Sequence, residues 1–334
     1  MEQLKDSKKT IWPALTLMLA APLLTEVLPG ATRFSSIFVF PIEMCVWGGG
    51  ALLIRYAVRR WQLGWLQMLF LAIALAIAEE CLIQQTSLAP MVIRLKGITY
   101  ARALGINYVY FLWALIYEPV FVVFLPVYLV ELIFPRRREG LWLSKAGLFL
   151  IIPLFLFGSF LAWFTWTQIA RPRVFHLPVY HPPLATITFA AAVIGGLIFM
   201  TLGPLRRKHL LQPAPLKLFN PWIHGIAGAV WAILLFGLVL LGFGIAPYFP
   251  PLIAILGGIF LVTVIVYLVP RWAASQSWRR KHVFGLIFGT MMGSMIAGHI
   301  GFIGTTGPDL YFKVITNILA IVLMIWLGLK VNKQ

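Results

Sequence analysis

The chain has 334 residues, of which 61% are hydrophobic and only 11% charged, against about 25% charged in an ordinary soluble domain. That balance excludes a soluble enzyme or binding module, and the long unbroken apolar runs do not have the short alternating segments of a membrane β-barrel. The net charge of +17 suggests nucleic acid, but Lys and Arg stand in short clusters between apolar runs, as membrane topology places them.

Ten apolar runs are long enough to cross about 30 Å of hydrocarbon. They fall at 11–29, 36–54, 64–84, 106–133, 143–168, 184–203, 219–244, 250–270, 283–304 and 311–329. The pattern predicts an all-α polytopic transmembrane bundle forming a single integral membrane domain over 1–334. The first run follows KDSKK, as in a signal peptide, but it is long and no small-residue cleavage site follows, so it reads as an uncleaved span. With the N-terminus inside, twenty Lys and Arg fall on inner segments and seven on outer ones, among them Arg33, Arg94, Lys96, Arg102, Arg171, Arg173 and Lys313. This bias predicts that both termini are cytoplasmic.

The fourth run is interrupted by Pro119 and Pro126, which predicts a kink or tilt. Segments 85–105 and 169–183 are the longest outer loops. The second, QIARPRVFHLPVYHP, mixes aromatics, prolines and two histidines and reads as an interfacial loop. Trp12, Trp61, Trp65, Tyr248, Trp272, Trp278 and Tyr311 sit near run ends as interfacial anchors. In the ninth run Gly285, Gly289, Gly293, Ala297 and Gly301 recur every four residues, a smooth ridge for close helix packing. Cys45 and Cys81 lie within spans and form no disulfide or zinc spacing. No internal repeat and no phosphate-binding loop is found.

Five acidic residues, Glu26, Glu43, Glu79, Glu80 and Glu118, fall inside these spans. An unpaired acid at mid-helix costs roughly 2.5–3.5 kcal/mol, so such residues face the bundle interior and mark function or helix contacts. Glu79 and Glu80 are adjacent, point about 100° apart and are followed by Gln84 four residues after Glu80, on the same face. By depth, Glu43, Glu79, Glu80 and His299 share one layer, with Glu26 above and Glu118 below. Carboxylates beside an imidazole can hold and deprotonate a water. The candidate catalytic set is therefore Glu79, Glu80 and His299, supported by Glu43, Gln84, Glu118 and Glu26. No metal ligand set is evident, and the sequence names no cofactor. The lipid bilayer is the one partner it implies.

The blocks GGGALLIRYAVRR (48–60), GW (64–65), AIAEE (76–80), GINYVY (105–110) and PVYLVELIFPRRR (126–138) resemble an uncharacterised group of bacterial multi-pass membrane proteins. The resemblance covers roughly the first 140 residues and implies a bacterial cytoplasmic membrane without implying an activity. The di-glutamate, with histidines on later spans, also loosely resembles the CAAX protease and bacteriocin-processing family of intramembrane proteases. That family's EExxxR motif is met by Glu79 and Glu80, with Gln84 in place of the arginine. Its FxxxH motif finds Trp113-Ala-Leu-Ile-Tyr-Glu118, without a histidine. What it implies is an intramembrane hydrolase or an inactive relative. A proton-coupled carrier, or a scaffold whose acids lock helices together, fits the same residues.

Overall fold

The computed structural model describes residues 11–90, 100–206, 213–242 and 249–333 as a helical bundle. Counted with their 3₁₀ and π turns, its helices are α1 Trp12–Val27, α2 Phe34–Trp61, α3 Trp65–Ile83, α4 Tyr108–Ile133 and α5 Lys145–Val174. They continue with α6 Leu184–Leu202, α7 Pro221–Leu240, α8 Pro251–Ala273, α9 Arg280–Phe302 and α10 Pro308–Asn332. Among the described residues, the nine helices α2 to α10 are long and apolar enough to span a membrane, while α1 is shorter. The chain is thus an all-α bundle of membrane-spanning type, with one element short of the ten full spans expected.

Strands are confined, among the described residues, to one short antiparallel hairpin, β1 Arg102–Ala103 with β2 Ile106–Asn107. It delivers the chain into α4. Asn107 caps that helix, its Oδ1 accepting from Tyr110 N at 3.1 Å while its Nδ2 donates to Tyr100 O at 3.2 Å.

Helix α4 is the centre of the bundle: 78% of its apolar window is buried, against 11% for α6. Two hydrophobic clusters meet on it. One joins Leu17, Val46, Leu52, Met68 and Val122 of α1 to α4. The other joins Phe121 and Leu125 of α4 to Trp231, Met291 and Leu327 of α7, α9 and α10. Large apolar side chains such as Phe149, Phe189, Phe260 and Ile315 face outward from α5, α6, α8 and α10, as a lipid-facing perimeter requires.

The ridge on α9 packs against α7. A Cβ added at Gly289 sits 1.8 Å from Gly225 O, one at Gly293 sits 2.3 Å from Ala229 O, and one at Gly285 sits 2.4 Å from Pro221 O. Only a missing side chain lets the two backbones touch in this way. Gly301, at the end of the ridge, has nothing within 4 Å and lies outside the seam.

Each of the first five helices contains a widened π turn: Leu23–Val27, Met44–Gly48, Glu79–Ile83, Pro119–Phe124 and Phe164–Val174. Pro119 has no N–H to donate, and its ring crowds the preceding turn. The interruption predicted in the fourth run takes the form of such a turn. The expected loop 169–183 needs a correction, because α5 continues to Val174. Arg171 explains the extension. It is 2% exposed, and its guanidinium donates to Pro90 O at 2.9 Å and Pro178 O at 3.2 Å, so carbonyls stabilise the cation inside the protein. Lys313, counted among the outer charges, is likewise buried within α10, where Nζ donates to Leu28 O and to Met295 O. The N-terminal lysines, Arg94, Lys96 and Tyr248 lie outside the described residues.

Candidate functional site

Glu79 and Glu80 lie in the π turn of α3, Glu26 lies in that of α1, and Glu43 and Glu118 stand immediately before those of α2 and α4. A π turn inserts extra backbone into the helix and re-aims the side chains around it, which is why such turns recur at functional sites. Here α3 and α4 direct three acids to one place, with Glu26 of α1 and Glu43 of α2 in its electrostatic surroundings. One carboxyl oxygen each from Glu79, Glu80 and Glu118 gathers within 4.8 Å of the others, and all three residues are buried.

Carboxyl oxygens this close repel one another when ionised, and such groups relieve the repulsion by sharing a proton. Glu80 is held from its other side by Ser87, whose N donates to Oε2 at 2.9 Å and whose Oγ donates to the same atom at 2.5 Å. Ser87 is fully buried and is fixed in turn by Asn107 N donating to its carbonyl at 2.9 Å. The cap of α4 and the end of α3 are thereby joined through the carboxylate that both help to place.

Glu26 is half-buried and faces Glu43 and Glu80. Its carbonyl ends α1 by accepting from the N–H groups of Gly30, Ala31 and Thr32. Thr32, so placed, donates its hydroxyl to Glu43 Oε1, while Glu43 Oε2 is buried with no hydrogen-bond partner among the described residues. Glu118 Oε2 is in the same position. Tyr110 stands beside Glu26, Glu79, Glu80 and Glu118. Tyr117 donates its hydroxyl to Thr25 O, tying α4 to the π turn of α1.

Three of the five acids named from the sequence, Glu79, Glu80 and Glu118, therefore meet, and Glu26 and Glu43 lie around them without joining the cluster. Among the described residues, no ion pair joins any of them to Lys, Arg or His. Three oxygens at this spacing fit around one cation or shared protons. His299, expected in the catalytic set, and Gln84, expected to support it, stand apart from these acids. His299 is exposed, and its Nδ1 faces Met295 O of its own helix at 2.7 Å, so it is not one of the gathered ligands. Gln84 ends α3, half-buried, and no hydrogen bond joins it to Glu80 among the described residues, because the π turn breaks the four-residue register that aligned them.

Sequence reasoning missed a second buried carboxylate. Glu131, near the end of α4, pairs with Arg59 Nη2 at 2.7 Å, Arg55 Nη2 at 3.3 Å and Arg138 Nε at 3.7 Å. Arg55 is 2% exposed, lies over the Trp142 ring at 3.2 Å, and donates to Arg138 O at 2.8 Å and Gly140 O at 3.1 Å. The signal was present: two basic clusters, 55–60 and 136–138, close the second and fourth spans on the same side of the bundle.

No protein-family model, curated protein or solved structure matches the chain.

Proposed function

We propose that the chain is a proton-coupled carrier of a bacterial cytoplasmic membrane, with both termini cytoplasmic and Glu79, Glu80 and Glu118 sharing the coupling proton. The observation that supports this reading is the meeting of Glu79, Glu80 and Glu118 with, among the described residues, no ion pair to any of them. Adjacent carboxylates in a dry interior repel one another and are poorly solvated, so the positive charge that balances them comes from solution. A group that takes up and releases such a charge inside a bundle is what a coupled carrier needs. The hydrolase alternative asks for a histidine beside the acids, and the exposed side chain of His299, turned to its own helix, supports it less.

The test is a proton jump on proteoliposomes adsorbed to a supported membrane, which reads charge movement as the centre fills without requiring a known cargo. The wild type gives a transient current. Glu79→Gln and Glu118→Gln abolish it, and Glu131→Gln, where folded, retains it. No current in the wild type, or equal currents in all variants, contradicts the reading. A transient evoked by Mn²⁺ and not by protons replaces the proton with a metal ion.

A further inference from the structure

At the arginine-rich end of the bundle lies a cavity of about 1030 Å³ between α4 on one side and α7, α8 and α9 on the other. Its walls are apolar over most of their length, with Phe124, Leu125, Trp231, Val264 and Ile287, and it ends among Arg138, Arg279 and Arg280. Along α9 the lining runs from Arg280 to Thr290, about 15 Å of helix. That is the depth of one leaflet of a roughly 30 Å hydrocarbon core.

Beside the mouth is a smaller cavity of about 160 Å³. It shares Trp65, Tyr128, Glu131 and Arg138 with the first and adds Arg55 and Arg59. The buried Nε of Arg55 has no hydrogen-bond partner among the described residues. Among the described residues Glu131 is the one acid on either lining, paired with Arg55, Arg59 and Arg138, and Glu139 beside it pairs with Arg59 and Arg138, so two acids face Arg55, Arg59, Arg138, Arg279 and Arg280. Positive charge is therefore in excess where the apolar groove reaches the membrane surface.

We propose that the two cavities together bind one anionic membrane lipid, with its phosphate headgroup at Arg138, Arg59 and Arg55 and its acyl chains in the groove. Charge complementarity selects an anionic head, and the leaflet-deep apolar wall selects a lipid over a free phosphate. The proposal goes beyond the proton centre, none of whose acids lines either cavity.

Native mass spectrometry of the purified protein offered equal amounts of dioleoyl phosphatidylglycerol and dioleoyl phosphatidylcholine tests it. One phosphatidylglycerol is retained per chain, preferred by about tenfold or more. The double variant Arg138→Gln/Arg279→Gln changes two exposed residues and leaves Arg55 and Arg59 to pair with Glu131; confirmed folded by its melt, it shows a preference that falls toward parity. The corresponding double lysine variant keeps the preference. Val269→Trp, which fills the groove, lowers retention of both lipids. Equal retention of the two lipids by the wild type, or an anionic preference that survives both the glutamine and the tryptophan variants, overturns the site and leaves ordinary boundary lipid.

Discussion

Glu118 and Glu131 stand on the same helix, about 20 Å apart along its axis, and keep opposite company. Glu131 meets three arginines, one of them fully buried, and its charge is balanced by the protein itself. Glu118 meets Glu79 and Glu80 and, among the described residues, no cation. Removing a partner from the first site exposes an uncompensated charge. Removing an acid from the second relieves crowding among like groups. A carboxylate in a membrane protein thus reports function by what surrounds it as much as by its depth.

The largest expected effect falls on the paired site. Glu131→Gln leaves the buried guanidinium of Arg55 without its anion, and about 3 kcal/mol of stability is lost in detergent unfolding. Gly289→Ala breaks the seam between α7 and α9. Its Cβ meets Gly225 O at 1.8 Å, α7 and α9 must part, and the cost is about 3 kcal/mol, whereas Gly301→Ala, with open space around it, costs almost nothing in the same melt. Ser87→Ala removes a hydroxyl from Glu80 and costs about 2 kcal/mol. The smallest effect is the most informative. Glu118→Gln changes stability by less than about 1 kcal/mol, or raises it, because an amide replaces a crowded acid. A loss as large as that of Glu131→Gln would make the acids helix locks and dissolve the contrast.

Much of this was legible in the chain. The span positions follow from apolar run length, and the five interior acids follow from their cost in lipid. The convergence of those acids was not legible. Depth placed Glu118 below Glu79, and no rule of sequence said that the π turns of α3 and α4 would bring their acids to one point. A regular helix also aligned Gln84 with Glu80, and the widened turn removed that alignment. Run position puts His299 in the same layer as the acids, but an expected depth says nothing of facing, and its side chain is exposed. Arg171 and Lys313 were counted as loop charges because a lone cation beside a proline or at a span edge gives no sign of the backbone carbonyls that hold it.

The central claim is that the Glu79–Glu80–Glu118 group balances itself by sharing protons. Infrared spectroscopy of the carboxylic-acid carbonyl stretch in purified protein at neutral pH reads this directly. The account predicts a protonated-carboxyl band that shifts in heavy water and is lost or shifted in Glu118→Gln, with Glu131→Gln leaving it in place. Carboxylate bands alone in the wild type, with no difference in Glu118→Gln, would contradict it.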